Sequence, residues 1–246
     1  MRTTVLFLML GMAVQTRAQM PSADVPRVIY IYDALDGWSY GFSPVIEQLY
    51  NRYKNGVYFD VVSGGLVIDE DVAPIGVTAY GIKNIYPKIE EETSIKFGEE
   101  FLRKLEEGTM EFNSLPAAIA MEVFELYQPE KVLEYAVAIQ NAIYFEGMPP
   151  ADVEGYANIA ETFDIDHDAF IKFMKQDVNE QSARADFLIA FDLGVYGYPA
   201  VVLKQGKEFT ILSEGYVDYE TLSSRLEEAL EAGKKEQSPD KWYDEQ

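Results

Sequence analysis

The sequence predicts an α/β protein in which a βαβ unit at the front and a ββα unit at the back are separated by a large all-helical insertion. Three observations carry this. Val28 to Tyr32 (VIYIY) and Val57 to Val62 (VYFDVV) are β-branched and aromatic runs, the pattern of buried strands, with a helical period between them. From about Ala73 to Asp192 strand signals disappear and helical periods fill the chain. Strand runs then return at Ala200 to Leu203 (AVVL) and Phe209 to Leu212 (FTIL), ahead of a last amphipathic stretch.

Taken in order, the first segment reads as a secretory leader. Met1-Arg2 is a basic start, Val5 to Val14 is an apolar run, and Thr16-Arg17-Ala18 offers small residues for cleavage between Ala18 and Gln19. The run is far short of the ~20 residues that span a bilayer. The mature chain is therefore expected to be secreted or periplasmic. After the first strand, Asp33 to Gly41 reads as a turn. Pro44 to Lys54 follows as a helix with Val45, Ile46, Leu49 and Tyr53 on one face and Asn55-Gly56 closing it. Strand, helix and strand in this order make the two strands parallel neighbours.

Within the helical stretch, Phe97 to Leu105, Ala117 to Tyr127, Pro129 to Phe145 and Asp166 to Met174 each gather apolar residues on one face. Ser114 with Pro116 reads as a capped helix start. Lys204 to Lys207, with Gly206, is a hairpin turn. Asp218 to Ala232 is the last helix, and the charged Gly233 to Gln246 is a tail expected to be mobile.

Composition narrows the function. With 42 acidic and 20 basic residues the net charge is −22, which repels nucleic acid and anionic membrane surfaces and leaves basic peptides or cations as neighbours. There is no Cys, so disulfides, thiolate catalysis, iron–sulfur clusters and thiolate zinc sites are all excluded. His167 is the only histidine. Around it Asp164, Asp166 and Asp168 mimic a metal cluster, but an EF-hand needs Gly and Glu where Ala169 and Gln176 stand. The run reads instead as a loop followed by a helix cap. No metal site and no cofactor are expected.

Two motifs carry a family resemblance. Tyr32-Asp33-Ala34-Leu35-Asp36-Gly37-Trp38-Ser39-Tyr40-Gly41 follows the first strand, and Gly194-Val195-Tyr196-Gly197-Tyr198-Pro199-Ala200 precedes the third. Together with Ser63-Gly64-Gly65 they make the chain resemble the DsbA-like branch of the thioredoxin superfamily, from Val28 to about Leu230. In redox-active relatives of this kind, cysteines occupy the positions of Asp36 and Ser39 and flank Gly37-Trp38, and the proline at Pro199 is cis. The resemblance implies a thioredoxin-like fold whose parts are residues 19–72 and 186–233. Residues 73–185 are then the helical insertion, 1–18 the signal peptide and 234–246 the tail.

It also implies a groove where a substrate chain pairs beside the proline, and binding residues Asp36, Gly37, Trp38, Ser39, Tyr198 and Pro199. With no sulfur, no catalytic residue is expected. The favoured function is a non-catalytic module, exported, that binds an extended or unfolded peptide or an envelope protein. Two alternatives stand beside it: a glutathione-dependent transferase or isomerase, and a thiol–disulfide oxidoreductase whose two cysteines were substituted. Asp36 itself suits a helix cap, and as a dipole-stabilised carboxylate it is expected to have too low a pKa for a good general base.

Overall fold

A four-stranded mixed sheet organises the molecule. The computed structural model describes residues 25–78 and 80–236; the leader and most of the charged tail, with Trp242, lie outside the described residues. Strand β1 is Arg27–Tyr32, followed by helix α1 at Gly37–Tyr53 and strand β2 at Tyr58–Ser63. The insertion contributes β3 (Ala73–Pro74), α2 (Ile75–Thr78), α3 (Tyr80–Thr93), α4 (Glu99–Glu107) and β4 (Glu111–Phe112). It continues with α5 (Leu115–Tyr127), α6 (Val132–Tyr144), α7 (Val153–Glu161), α8 (His167–Met174) and α9 (Asp177–Asp192). Strands β5 (Ala200–Gln205) and β6 (Glu208–Glu214) and helix α10 (Tyr219–Glu236) close the chain.

The sheet order is β2-β1-β5-β6. β1 and β2 run parallel, with Val28 opposite Phe59 and Tyr32 opposite Ser63. β5 is antiparallel to β1, and its first residue, Ala200, faces Ile31. That register brings the chain leaving β1 and the chain entering β5 to the same end of the sheet. The two sequence motifs meet for this reason.

From Val28 onward β1 is apolar because both of its faces are covered. Val28, Tyr30 and Tyr32 join the main core with α1 and α10, whereas Ile29 and Ile31 join a smaller cluster with Val62, Ala190 and Val202 under α9. Phe42, Ile46 and Leu49 of α1 are fully buried, each worth roughly 1.5–3 kcal/mol of transfer free energy.

Several expectations need correction. Helix α1 starts at Gly37, seven residues before the expected Pro44, so only Asp33 to Asp36 is turn. Pro44 sits inside the helix and leaves the Tyr40 carbonyl without its usual amide donor. The Ser43 hydroxyl takes that place, donating to Tyr40 O at 2.7 Å.

The helical stretch also contains a two-residue antiparallel ladder, Ala73 to Phe112 and Pro74 to Glu111, too short to leave a period in the sequence. Ser114 does precede α5, but its hydroxyl does not cap that helix. At the His167 run, Asp166 caps α8 by accepting from Ala169 N at 2.8 Å. Among the described residues no group of acidic or histidine side chains is placed to hold a metal ion.

Candidate functional site

Three segments converge at the carboxyl end of β1: the start of α1, the Ser63–Val67 loop after β2, and the Gly194–Pro199 loop before β5. Asp36 is the N-cap of α1. Its Oδ2 accepts from Ser39 N and from Ser39 Oγ, both at 2.7 Å. Ser39 is buried, and its carbonyl accepts a bond from the Tyr30 hydroxyl at 3.3 Å. The serine hydroxyl is therefore committed inside the turn and is no free nucleophile.

Asp36 departs from expectation in its acidity. Burial pushes its carboxyl up to about 6, against the pull of the two Ser39 bonds, and the nearby Asp33 adds to the rise. Desolvation outweighs the helix start here because water is excluded from most of the carboxylate.

The other expected residues are spread around this turn. A side chain on Gly37 would come 3.0 Å from Ile89 of α3, so glycine allows the close approach of the two helices. Trp38 is half-buried, with its ring centroid 6.2 Å from that of Tyr216 and 5.9 Å from the Lys88 ammonium. The Tyr198–Pro199 bond is cis. Tyr198 donates its hydroxyl to Gly64 O at 2.6 Å, and a Cβ on Gly64 would lie 2.3 Å from the tyrosine ring. The Pro199 carbonyl accepts from Gly215 N.

Beside Asp36 opens a cavity of about 370 Å³ between the α1 start, the loop after β2 and the first helices of the insertion. Its walls include Leu35, Leu66, Val67, Ile82, Ile85 and Phe112, with Asp36 and Asp71 as its charged groups. Of the six residues expected to bind, Asp36 and Gly37 line this cavity. Trp38 and Tyr198 flank the turn instead.

Sequence reasoning missed the residue that ties these segments together. Asp33, fully buried, accepts from Leu35 N at 2.8 Å, Leu66 N at 2.8 Å and Ser114 Oγ at 2.9 Å. The Ser114 hydroxyl in turn accepts from Val67 N at 3.0 Å. One carboxyl thus joins the α1 turn, the loop after β2 and the start of α5. Burial pushes its pKa up, with the backbone bonds and Ser114 opposing. The only signal in the sequence was an acid directly after an apolar strand, and Ser114 stands 81 residues away.

A thioredoxin-type sheet, a helix opening beside a cis-proline loop and a helical insertion define a thioredoxin-like protein, in a chain without cysteine. The family model described as DSBA-like thioredoxin domain matches residues 27–227, and the chain belongs to that family. No curated protein matches it.

Among solved structures it is similar to a candidate protein disulfide isomerase from Nitrosomonas europaea, with TM-score 0.74 and 24% identity over 84% of this chain and 98% of that one. The cytosolic disulfide reductase DsbM from Pseudomonas aeruginosa matches with TM-score 0.69 and 22% identity, covering 84% of this chain and 99% of that one. A 2-hydroxychromene-2-carboxylate isomerase matches with TM-score 0.55 and 18% identity over 86% of this chain and 100% of that one. At these identities the similarity speaks for the fold.

Proposed function

We propose that this chain is an exported, non-catalytic member of its family that binds an extended peptide or a segment of a partner protein at the turn around Asp36 and the Tyr198–Pro199 loop. One observation carries the reading. Where the family's thiol pair would stand, Asp36 and Ser39 satisfy each other, while the recess beside them stays open and mostly apolar. Exposed apolar side chains on nearby segments support it: Leu66 at the cavity wall, and Tyr196, 76% exposed, in the loop leading to Pro199. Large apolar groups left in water beside a recess are a mark of interaction surfaces.

The chain's own fluorophore offers the test. Trp38 and Trp242 are the only tryptophans, so a Trp242→Phe variant reports from the α1 turn alone. Titration with unfolded, cysteine-free peptides is expected to give a saturable change in Trp38 emission. Tyr198→Ala weakens it about tenfold, the effect of losing a well-placed aromatic contact. No heat of binding in calorimetry across varied peptides refutes the reading.

A second reading draws on a single observation. A carboxyl near 6 is well matched to general-base work close to neutral pH. A glutathione-dependent isomerase or transferase using Asp36 predicts turnover that disappears in Asp36→Ala, and its absence with the wild-type protein removes that reading.

A further inference from the structure

The polarity of the cavity beside α1 is the reverse of what the start of a helix usually presents. Helix starts attract anions through their free N–H groups and dipole. In this chain a resident carboxylate already takes that role, since Asp36 Oδ2 accepts both Ser39 bonds. An incoming anion would meet a carboxylate instead of donors.

The rest of the wall adds to this. Asp71 is exposed, and among the described residues no hydrogen bond or ion pair engages its side chain. No basic residue lines the cavity, and cations on segments that contribute to its wall or neighbour Asp69 are already matched. Lys83, next to the wall residue Ile82, bonds Glu106 at 2.7 Å; Lys88 lies near Glu92 and over Trp38; Arg184 pairs with Asp69 and Glu180. The recess is therefore an apolar socket with two carboxylates at its edge, in a protein of net charge −22. At about 370 Å³ it lies at the small end of ligand cavities, suited to one or two side chains.

We infer that this socket takes a bulky aliphatic side chain of a bound peptide whose neighbouring residues are Lys or Arg, and that it discriminates against anionic ligands, glutathione included. The inference rests on the peptide-binding reading above and deepens it. The aliphatic group supplies contact area inside the socket. The flanking cation meets the exposed Asp71, with the Asp36 carboxylate adding negative potential from the cavity wall, and such charge pairing governs selection more than raw affinity.

Gly81 allows a clean test. It lines the cavity, and a Cβ built on it meets no atom within 4 Å, so the space beside it is open. Gly81→Leu places an aliphatic chain there without touching either carboxylate, in a helix that favours leucine over glycine. Three peptides sharing one leucine anchor, flanked by Lys, Gln or Glu, are compared by calorimetry at low and high salt, with glutathione as a fourth ligand.

The Lys-flanked peptide is expected to bind tightest and the Glu-flanked one at least about tenfold weaker. Asp71→Asn reduces that ratio about threefold, in line with a partly exposed charge pair, and high salt reduces it further. Gly81→Leu weakens the Lys-flanked peptide more than about tenfold while the melting temperature holds. Equal affinity for the three flanks, or undiminished binding by Gly81→Leu, overturns the socket and leaves peptide binding elsewhere on the surface standing. Binding by none of the three overturns both the socket and the reading beneath it.

Discussion

One fully buried carboxyl and one cluster of half-buried carboxyls lie near the carboxyl ends of β1 and β2, and they are stabilised in opposite ways. Asp33 is surrounded by donors: Leu35 N, Leu66 N and the Ser114 hydroxyl. In the cluster, Asp186 of α9 faces Glu122 and Glu125 of α5 and Asp60 of β2. Asp60 already bonds Arg27 at 2.7 Å, and Asp186 accepts from Ser63 N at 3.1 Å and lies within hydrogen-bond reach of the Glu122 carboxyl. Burial pushes Glu122 and Asp186 up, each reinforced by neighbouring acids, and carries Glu125 to about 7. The lesson is that acid count says little about an acid's role. Donors make Asp33 a tie between segments, whereas scarcity of donors makes the α5–α9 contact depend on bound protons.

The largest expected effect breaks the first half of this contrast. Asp33→Ala strands two backbone amides and a serine hydroxyl in the interior and should destabilise the protein by about 3–5 kcal/mol in denaturant unfolding. A loss below about 1 kcal/mol would show that the three bonds do not hold the segments together.

Next comes the proton dependence of the α5–α9 contact. These carboxyls have folded-state values raised above their ordinary values of 3.8 and 4.5. The folded protein therefore binds more protons than the unfolded chain between about pH 4 and 8. Stability then falls as pH rises through that window and levels off above it. Glu122→Gln keeps the shape and removes one ionisation. Thermal melts should show it more stable than wild type by about 1–2 kcal/mol at pH 8, after allowance for solvent screening, and unchanged at pH 4. An equal gain at both pH values would refute the proton-sharing account.

The smallest effect sharpens the comparison at the helix start. Asp36→Ala removes the acceptor for Ser39 and should cost about 1 kcal/mol, whereas Asp36→Asn retains a capping oxygen and stays within about 0.5 kcal/mol. If the asparagine variant falls as far as the alanine one, the charge rather than the cap is what this turn requires.

Much of this architecture was legible beforehand. The β-branched runs of β1, β2 and β5 and the apolar face of α1 carry periods that buried elements need. The order of elements gave the parallel pairing of β1 and β2, whereas the antiparallel pairing of β1 with β5 came from the structure. The Gly-Trp turn and the Gly-x-Pro loop likewise marked the place where the segments meet. The start of α1 was misread because Gly37, Gly41, Ser43 and Pro44 weaken the helical signal locally. Their compensations are tertiary or conformational: Ile89 and Thr93 packed where glycine leaves room, and the Ser43 hydroxyl on Tyr40 O.

By itself the sequence determined the class of fold, the absence of sulfur chemistry and the preference of Asp36 for a capping position, because strand periods, composition and cap preferences are local properties of the chain. Only the tertiary structure decided that burial raises the pKa of Asp36, that Trp38 packs beside Tyr216 rather than lining the cavity, and that Asp33 meets Ser114. Desolvation, packing direction and long-range hydrogen bonds depend on which distant residues the fold brings to one point, and no local pattern encodes that.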